Sequence, residues 1–576
     1  MRVPADGFLF AREEDCLNSR TEKLALLEDR FDVLIVGGGA TGLGLAVDAA
    51  TRGYRTVLVE AGDFAQATSS RATKLVHGGV RYLASGQIPL VYEALRERKT
   101  MLSNAPHLVH TLPFVTPAYR WFDLPWYGAG LTLYDLLSGS ASLGPTKILS
   151  VRETRERIPG IATAGLKGSV MYHDAQFDDA RLALALARTA EDHGAVVLNY
   201  VRCTELLKQE GRICGARVQD VETGDELTVH AAAVINATGI FVDTLRQQDT
   251  PGLENLLSVS RGTHLVVAGE FLQPNGRGEA NAIMVPKTED GRIIFAIPWL
   301  GKVVIGTTDL PAAKVEMEPG HEDSEIEFLL ETINPFLSRP VAREDILSIF
   351  SGLRPLVTGK QSNTSKLSRE HHIDISPSGL VTVAGGKWTT YRRMAEGTLD
   401  FAIKQILLPP KECVSKRVRL HGAPTPAEAN ERRGQTHSQY GTDAAAVNDL
   451  IRNNPAMAAV LDEALPYTVA EVVYAVQAEM ARTVEDVLSR RTRALLLDAR
   501  AAERAAPAVA RVMASELGWG QDWVESQVAS FTDLARRFYL VDQGPAPTIA
   551  VEASPFGSQT ARVAEGDKRY VYDGSV

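Results

Sequence analysis

One stretch near the N-terminus restricts the fold of this chain more than any other. Phe31-Asp32-Val33-Leu34-Ile35-Val36 is a short apolar run with β-branched residues, the pattern of a strand buried on both faces. It runs into Gly37-Gly38-Gly39-Ala40-Thr41-Gly42, a G-x-G-x-x-G, and then into a helical stretch from Leu43 to Arg52 that Gly53 stops. A second strand, Arg55 to Val59, ends at Glu60. Gly37 permits the tight turn, Gly39 lets the backbone approach a pyrophosphate, and Gly42 lets the helix pack close to the strand. The pyrophosphate would rest on unpaired N–H groups at the positive end of the helix, beside Thr41, while Glu60 accepts hydrogen bonds from ribose hydroxyls.

Beyond Glu60 the chain reads Ala61-Gly62-Asp63-Phe64 and then Thr68-Ser69-Ser70-Arg71-Ala72-Thr73-Lys74-Leu75-Val76-His77-Gly78-Gly79-Val80-Arg81-Tyr82-Leu83. Small hydroxylated residues and paired glycines offer a backbone-rich surface to a flat ring system. Here the chain resembles the FAD-dependent glycerol-3-phosphate dehydrogenases, and the T-S-S-x-x-x-K-L-x-H-G-G-x-R-Y-L run carries the resemblance. It implies FAD contacts from Gly37, Gly39, Thr41, Gly42, Glu60, Ala61, Thr68, Ser69, Ser70, Lys74, Leu75, His77, Gly78 and Gly79. Further along it implies Cys203, whose backbone lies at adenine, Thr238 and Gly239, and then Gly386, Lys387 and Thr389.

The later segments fit that frame. Asp178 to His193 predicts an amphipathic helix, and Ala195 to Val201 a strand. Ala232 to Gly239 is another buried strand ending in a glycine turn. The family pattern has Pro or Ala and then Trp after that Ala-Thr-Gly; here Ile240 and Phe241 keep the bulk. Ser260 to Thr308 alternates apolar and polar residues, as an antiparallel sheet over a pocket would. Val381-Thr382-Val383-Ala384-Gly385-Gly386-Lys387-Trp388-Thr389-Thr390-Tyr391-Arg392 repeats the order strand, glycine turn, helix start. Such a helix N-terminus stabilises negative charge on a reduced flavin. From about Leu407 the pattern turns helical, with amphipathic stretches at Val469 to Leu488, Ala501 to Leu517 and Trp523 to Phe538. Glu479-Met480-Ala481 and Asp486 to Arg493 resemble the family's C-terminal domain, and no EF-hand pattern is present.

The fold class expected is therefore α/β with an α+β substrate domain. A Rossmann-like FAD domain of the glutathione-reductase/amino-acid-oxidase type (about 31–115, 185–260 and 345–400) is interleaved with an antiparallel-sheet substrate domain (about 116–184 and 261–344). An all-α domain at 401–540 follows, flanked overall by an N-terminal extension (1–30) and a loose tail (541–576).

Oxidising a secondary alcohol requires a hydride to leave carbon and a proton to leave oxygen. For sn-glycerol 3-phosphate, which the resemblance implies as substrate, the hydride goes from C2 to flavin N5, giving dihydroxyacetone phosphate. The phosphate calls for convergent cations. The resemblance marks Arg81, Arg354, Arg369 and Lys387 as that set, with Tyr82, Thr307 and Thr308 as neutral donors. His264 is the candidate base, because imidazole titrates near working pH. The other role open to it is hydrogen bonding to substrate or flavin, with Arg81 or Lys387 stabilising the alkoxide. Membrane quinone is the implied electron acceptor. The alternatives are an oxidase that uses oxygen and a flavoprotein-fold scaffold without catalysis.

Composition narrows the rest. At 576 residues the chain is too long for one core. Its net charge of −10 argues against a general nucleic-acid binder. The four cysteines, Cys16, Cys203, Cys214 and Cys413, form no C-x-x-C, so neither a metal cluster nor a disulfide framework is expected. Met1 to Arg20 lacks an apolar core, and no run reaches the roughly 18 apolar residues of a membrane span. The expected location is cytoplasmic, peripheral at the inner face of the cell membrane, and a homodimer is left open. Trp121 to Leu137 carries many aromatic and aliphatic residues but no Lys or Arg. It is expected to be an ordinary helix packed in the core, the alternative being a bilayer-interface segment.

Overall fold

The computed structural model describes residues 19–80, 83, 86–274, 281–285, 293–358, 371–432 and 435–540. The candidate residues Arg81, Tyr82 and Arg369 and the expected tail lie outside the described residues.

Two sheets organise the described residues. In the eight-stranded first sheet the strand order is His371–Ile375, Val381–Gly385, Glu226–Asn236, Arg30–Val36, Thr56–Val59 and Val196–Leu198, with Val201–Gln209 and Arg212–Asp220 continuing from Glu226–Asn236. The central strand, Arg30–Val36, is parallel to both neighbours, and Val36 stands level with Asn236 and with Val59. Three strand ends thus open at one edge, where an open parallel sheet binds its ligand. Behind them, Ala40–Thr51 packs against Asp179–Asp192 and Tyr391–Lys404 through Leu43, Leu45, Leu182, Leu186, Met394 and Leu399.

The ten-stranded second sheet is mostly antiparallel. Leu257–Ala268 is its key strand. It pairs with Lys302–Gly306 on one side and Ile346–Val357 on the other, so that His264 faces Gly306 and Phe350 across the ladder. Val109–Ala118 and Gly168–Phe177 extend the sheet, and Leu75–Val76, inside the hydroxyl- and glycine-rich run, pairs with Gly168–Phe177. The crossings between sheets differ from the expected 115 and 345: Val109–Ala118 and Ile346–Val357 belong whole to the second sheet.

The C-terminal helices Val469–Ala478, Ala499–Leu517 and Gln521–Ala535 cover the second sheet. Their core includes Val266, Trp299, Val304 and Phe350 of that sheet. The single helix expected over Val469 to Leu488 is instead broken after Ala478. Met480 takes a left-handed backbone (φ 55°), and the Asp486 carboxylate accepts hydrogen bonds from the Arg482 and Thr483 N–H groups. These local bonds compete with helix continuation.

His371 and His372 begin a strand antiparallel to Val381–Gly385. One further expectation changes. The Trp121–Leu137 segment is not a core helix. Helix Asp123–Ser138 buries only Gly128, Leu131, Tyr134 and Ser138, while Trp121 (70%), Phe122 (63%), Trp126 (77%) and Leu136 (75%) are exposed. The apolar residues encircle the helix, and only one narrow stripe finds a partner. Among the described residues, no helix is long and apolar enough to cross a membrane.

Candidate active site

The glycine turn has the close approaches that its spacing predicts. Gly37 sits at φ +114°, and a Cβ there would lie 2.5 Å from the Ala237 carbonyl oxygen. A Cβ on Gly42 would lie 1.8 Å from the Gly37 oxygen, so any side chain would push helix and turn apart. Gly39 begins the helix without a side-chain cap, and Ser69 Oγ, from the loop beyond Glu60, accepts from Ala40 N–H at 2.9 Å. The Glu60 carboxylate takes Gly38 N–H at 2.6 Å and Gly62 N–H at 2.9 Å. Burial raises its pKa despite those bonds. Tyr200 and Val201 donate backbone N–H groups to Gly62 and Glu60, which brings the strand carrying Cys203 beside Ala61. Burial pushes the Cys203 thiol up to about 12, so it stays protonated. Thr238 donates its hydroxyl to Asn236 Oδ1 at 2.7 Å, and Gly239 turns the chain at φ +60°. Glycines at close backbone approaches, a helix N-terminus that Gly39 leaves without a side-chain cap and an acid at the second strand's end fit the FAD that the resemblance implies.

The hydroxyl-rich run is stitched to the second glycine turn. Trp388 Nε1 donates to Ser69 O at 2.8 Å, and Thr389 Oγ1 lies 3.5 Å from His77 O. Gly386 is at φ +77°, with the sulfur of Met394 where a Cβ would point. Half-buried Lys387 precedes the turn Trp388–Thr390. Gly79 (φ 79°) follows Gly78, whose N–H is taken by the buried Tyr134 hydroxyl at 2.7 Å. Leu75 is in the second sheet, and the Ser70 hydroxyl turns back to Ala67 and Gln66. Lys74 is fully buried, its ammonium 2.7 Å from Asp179. Burial, opposed by Asp179, brings it down to about 7.

On the other side of this run lie the substrate candidates. Thr68 Oγ1 donates to Leu353 O at 2.7 Å, next to Arg354, and Thr73 Oγ1 lies 3.0 Å from His264 Nε2. The His264 ring stacks on Phe350, with centroids 4.7 Å apart, and its Nδ1 has no partner among the described residues. Burial, then the charges of Arg354 and Lys74, hold the imidazole well below its ordinary value. Arg354 donates to Thr307 Oγ1 at 2.9 Å and Thr308 O at 3.1 Å, with Asp309 at 3.4 Å. The Thr308 hydroxyl is committed elsewhere, donating to Glu325 at 2.6 Å. His264, Arg354 and Thr307 therefore gather beside the flavin-type loop, whereas Thr308 supports them from within the sheet. Sequence reasoning passed over Thr73, Phe350, Asp179 and Arg493. Thr73 lies inside the quoted run and Arg493 ends the stretch likened to the family's C-terminal domain, but nothing local marks Phe350 or Asp179.

Residues 32–392 match the model of the FAD dependent oxidoreductase family, and residues 412–523 match the C-terminal domain of alpha-glycerophosphate oxidase. The mitochondrial glycerol-3-phosphate dehydrogenase of Bos taurus is 39% identical over 93% of this chain and 78% of its own length. That of Arabidopsis thaliana is 39% identical over 89% of this chain and 87% of its own. Among solved structures, the glycerol-3-phosphate dehydrogenase from Bacillus halodurans complexed with FAD aligns at a TM-score of 0.73 and 29% identity, covering 93% of this chain and 100% of that one.

Proposed function

Because this chain belongs to the family of FAD-dependent glycerol-3-phosphate dehydrogenases, we propose the division of labour by which its residues oxidise sn-glycerol 3-phosphate to dihydroxyacetone phosphate. FAD, when bound, supplies the hydride acceptor. The glycine turn, Glu60 and the Thr68–Gly79 run hold it. Arg354, with the Thr307 hydroxyl beside it, anchors the phosphate, and Arg81, Arg369 and Tyr82 complete that set. His264 takes the hydroxyl proton: burial and nearby charge keep the imidazole unprotonated, though a weaker base than the near-neutral titration expected of its residue type, and Thr73 lies against its Nε2. Lys387 stabilises the developing alkoxide. The observation that carries this reading is the double attachment of the run to the second sheet, Thr68 beside Arg354 and Thr73 at His264. These two hydrogen bonds support a substrate pocket lying against the run proposed to hold FAD.

Electrons pass on to membrane quinone, and the protein works at the inner face of the cell membrane. The exposed aromatic face around Trp121, Phe122 and Trp126 supports that location, since Trp rings favour the bilayer interface. Lys167 and Arg120 stand over the Trp121 and Phe122 rings and present positive charge to anionic headgroups. Anaerobic turnover with a short-chain quinone, compared with oxygen uptake in air, tests the acceptor. Quinone reduction far faster than oxygen uptake is expected. Peroxide production at a comparable rate would overturn the assignment in favour of an oxidase.

A further inference from the structure

Three parts of the molecule meet at Asp179, a fully buried carboxylate that the chemistry above leaves unused. Its Oδ2 accepts from Lys74 Nζ at 2.7 Å and from Ala72 N–H at 3.0 Å. Its Oδ1 accepts from Arg493 Nη2 at 2.8 Å and from Ala180 N–H at 2.9 Å. The Ser70 carbonyl is bridged in the same way, by Lys74 Nζ at 2.8 Å and Arg493 Nη2 at 2.9 Å. Lys74 belongs to the hydroxyl-rich run, Asp179 opens the helix Asp179–Asp192, and Arg493 comes from the C-terminal helical region.

Both cations are held in costly states. Lys74 (φ 63°) and Arg493 (φ 66°) have left-handed backbones, which non-glycine residues adopt only where their surroundings over-determine them. Both are also stripped of water and lie over the Trp299 ring, at 5.0 and 5.4 Å. Lys74 lies 5.3 Å over Phe350, the ring on which His264 stacks. Apolar side chains would give a core equal or greater cohesion. What the ionic arrangement adds is a fixed direction for the Ser70–Lys74 backbone. The same C-terminal turn also grips the chain just upstream of the run, since Arg490 and Arg491 both bind Asp63, close after Glu60.

We propose that Asp179 and Arg493 are positioning residues of the cofactor site, and that the C-terminal helical region completes that site by locking the Ser70–Lys74 segment from outside the FAD domain. The proposal rests on the assignment of the Thr68–Gly79 run to FAD. It makes retention of the cofactor depend on an arginine more than 400 residues away in sequence from the carbonyl it holds.

The test uses the full-length holoenzyme and two readouts, the dissociation constant of FAD and the midpoint potential of the bound flavin. Arg493→Met is expected to weaken FAD binding at least ten-fold, and Arg493→Lys, which keeps the charge, to recover part of that loss. Asp179→Asn is expected to shift both readouts; should it fail to fold, the Arg493 pair decides. Arg504→Met, which removes the Asp462 ion pair of the same helical region, is expected to lower the melting temperature and leave FAD affinity unchanged. The proposal is overturned if Arg493→Met melts earlier yet holds FAD with parental affinity and potential. Failure of the unsubstituted protein to bind FAD would instead remove the assignment beneath it.

Discussion

Burial and the neighbouring charges of Arg354 and Lys74 keep the imidazole of His264 neutral, which decides how this residue behaves with pH. A base whose pKa is depressed is already deprotonated at neutral pH, so lowering the pH to about 6.5, the ordinary histidine value, does not switch it off. The kcat/KM profile is therefore expected to show no acid limb from His264 in that range. Replacing His264 with Asn should lower kcat by roughly 10²–10⁴-fold while leaving flavin content intact. A neutral-range acid limb that disappears in His264→Asn would contradict the depressed pKa, and a variant with parental kcat would contradict the role as base. Residues such as Gly37 and Gly42 were legible in sequence because a local backbone demand leaves only glycine possible. Phe350, Asp179 and Arg493 were not, because their roles are created by partners from distant strands and helices. Thr73 stood in plain view within the run, but its partner His264 lies 191 residues away.

At the scale of elements, the helix Asp123–Ser138 shows how composition alone misleads. An apolar helix without Lys or Arg looks like core, yet the contacts available bury one stripe and leave Trp121 and Trp126 in the open. Replacing both tryptophans with Ser is expected to lower binding to vesicles containing anionic lipid, measured by co-sedimentation, without changing turnover with a soluble quinone. Unchanged vesicle binding would count against this face as the membrane contact. A second element-level prediction concerns the join between helix Asp179–Asp192 and the C-terminal region. His421 bonds Asp192 at 2.7 Å and Asp443 at 2.9 Å, and although burial opposes them, these carboxylates raise it to about 9. A pKa raised above the unfolded value of about 6.5 adds stability that is complete below that value and fades as pH rises through the folded one. Melting curves of His421→Gln should thus fall below the parent most at about pH 6 and converge with it at about pH 10. A constant difference across that range would rule out the ionic contribution.

For the whole molecule, the interleaving of the two domains was legible because strands returning after long intervals ended in glycine turns of the same kind. Where the chain crosses between sheets was less so, since Val109–Ala118 and Ile346–Val357 are apolar strands that either sheet would accept. The C-terminal helices were visible as amphipathic stretches, but not the surface they cover. That surface is the face of the second sheet that carries Trp299 and Phe350, which join the helical core. The helices therefore pack against the ring on which His264 stacks and are not a separate appendage. Cofactor, substrate and hydride transfer are all read at once from the visible spectrum of the purified protein without oxygen, before and after adding sn-glycerol 3-phosphate. A bound-flavin band is expected that bleaches promptly with this substrate and far more slowly with glycerol, which lacks the phosphate proposed to bind Arg354. A flavin band that persists in the presence of sn-glycerol 3-phosphate, or bleaches equally with glycerol, would contradict this reading.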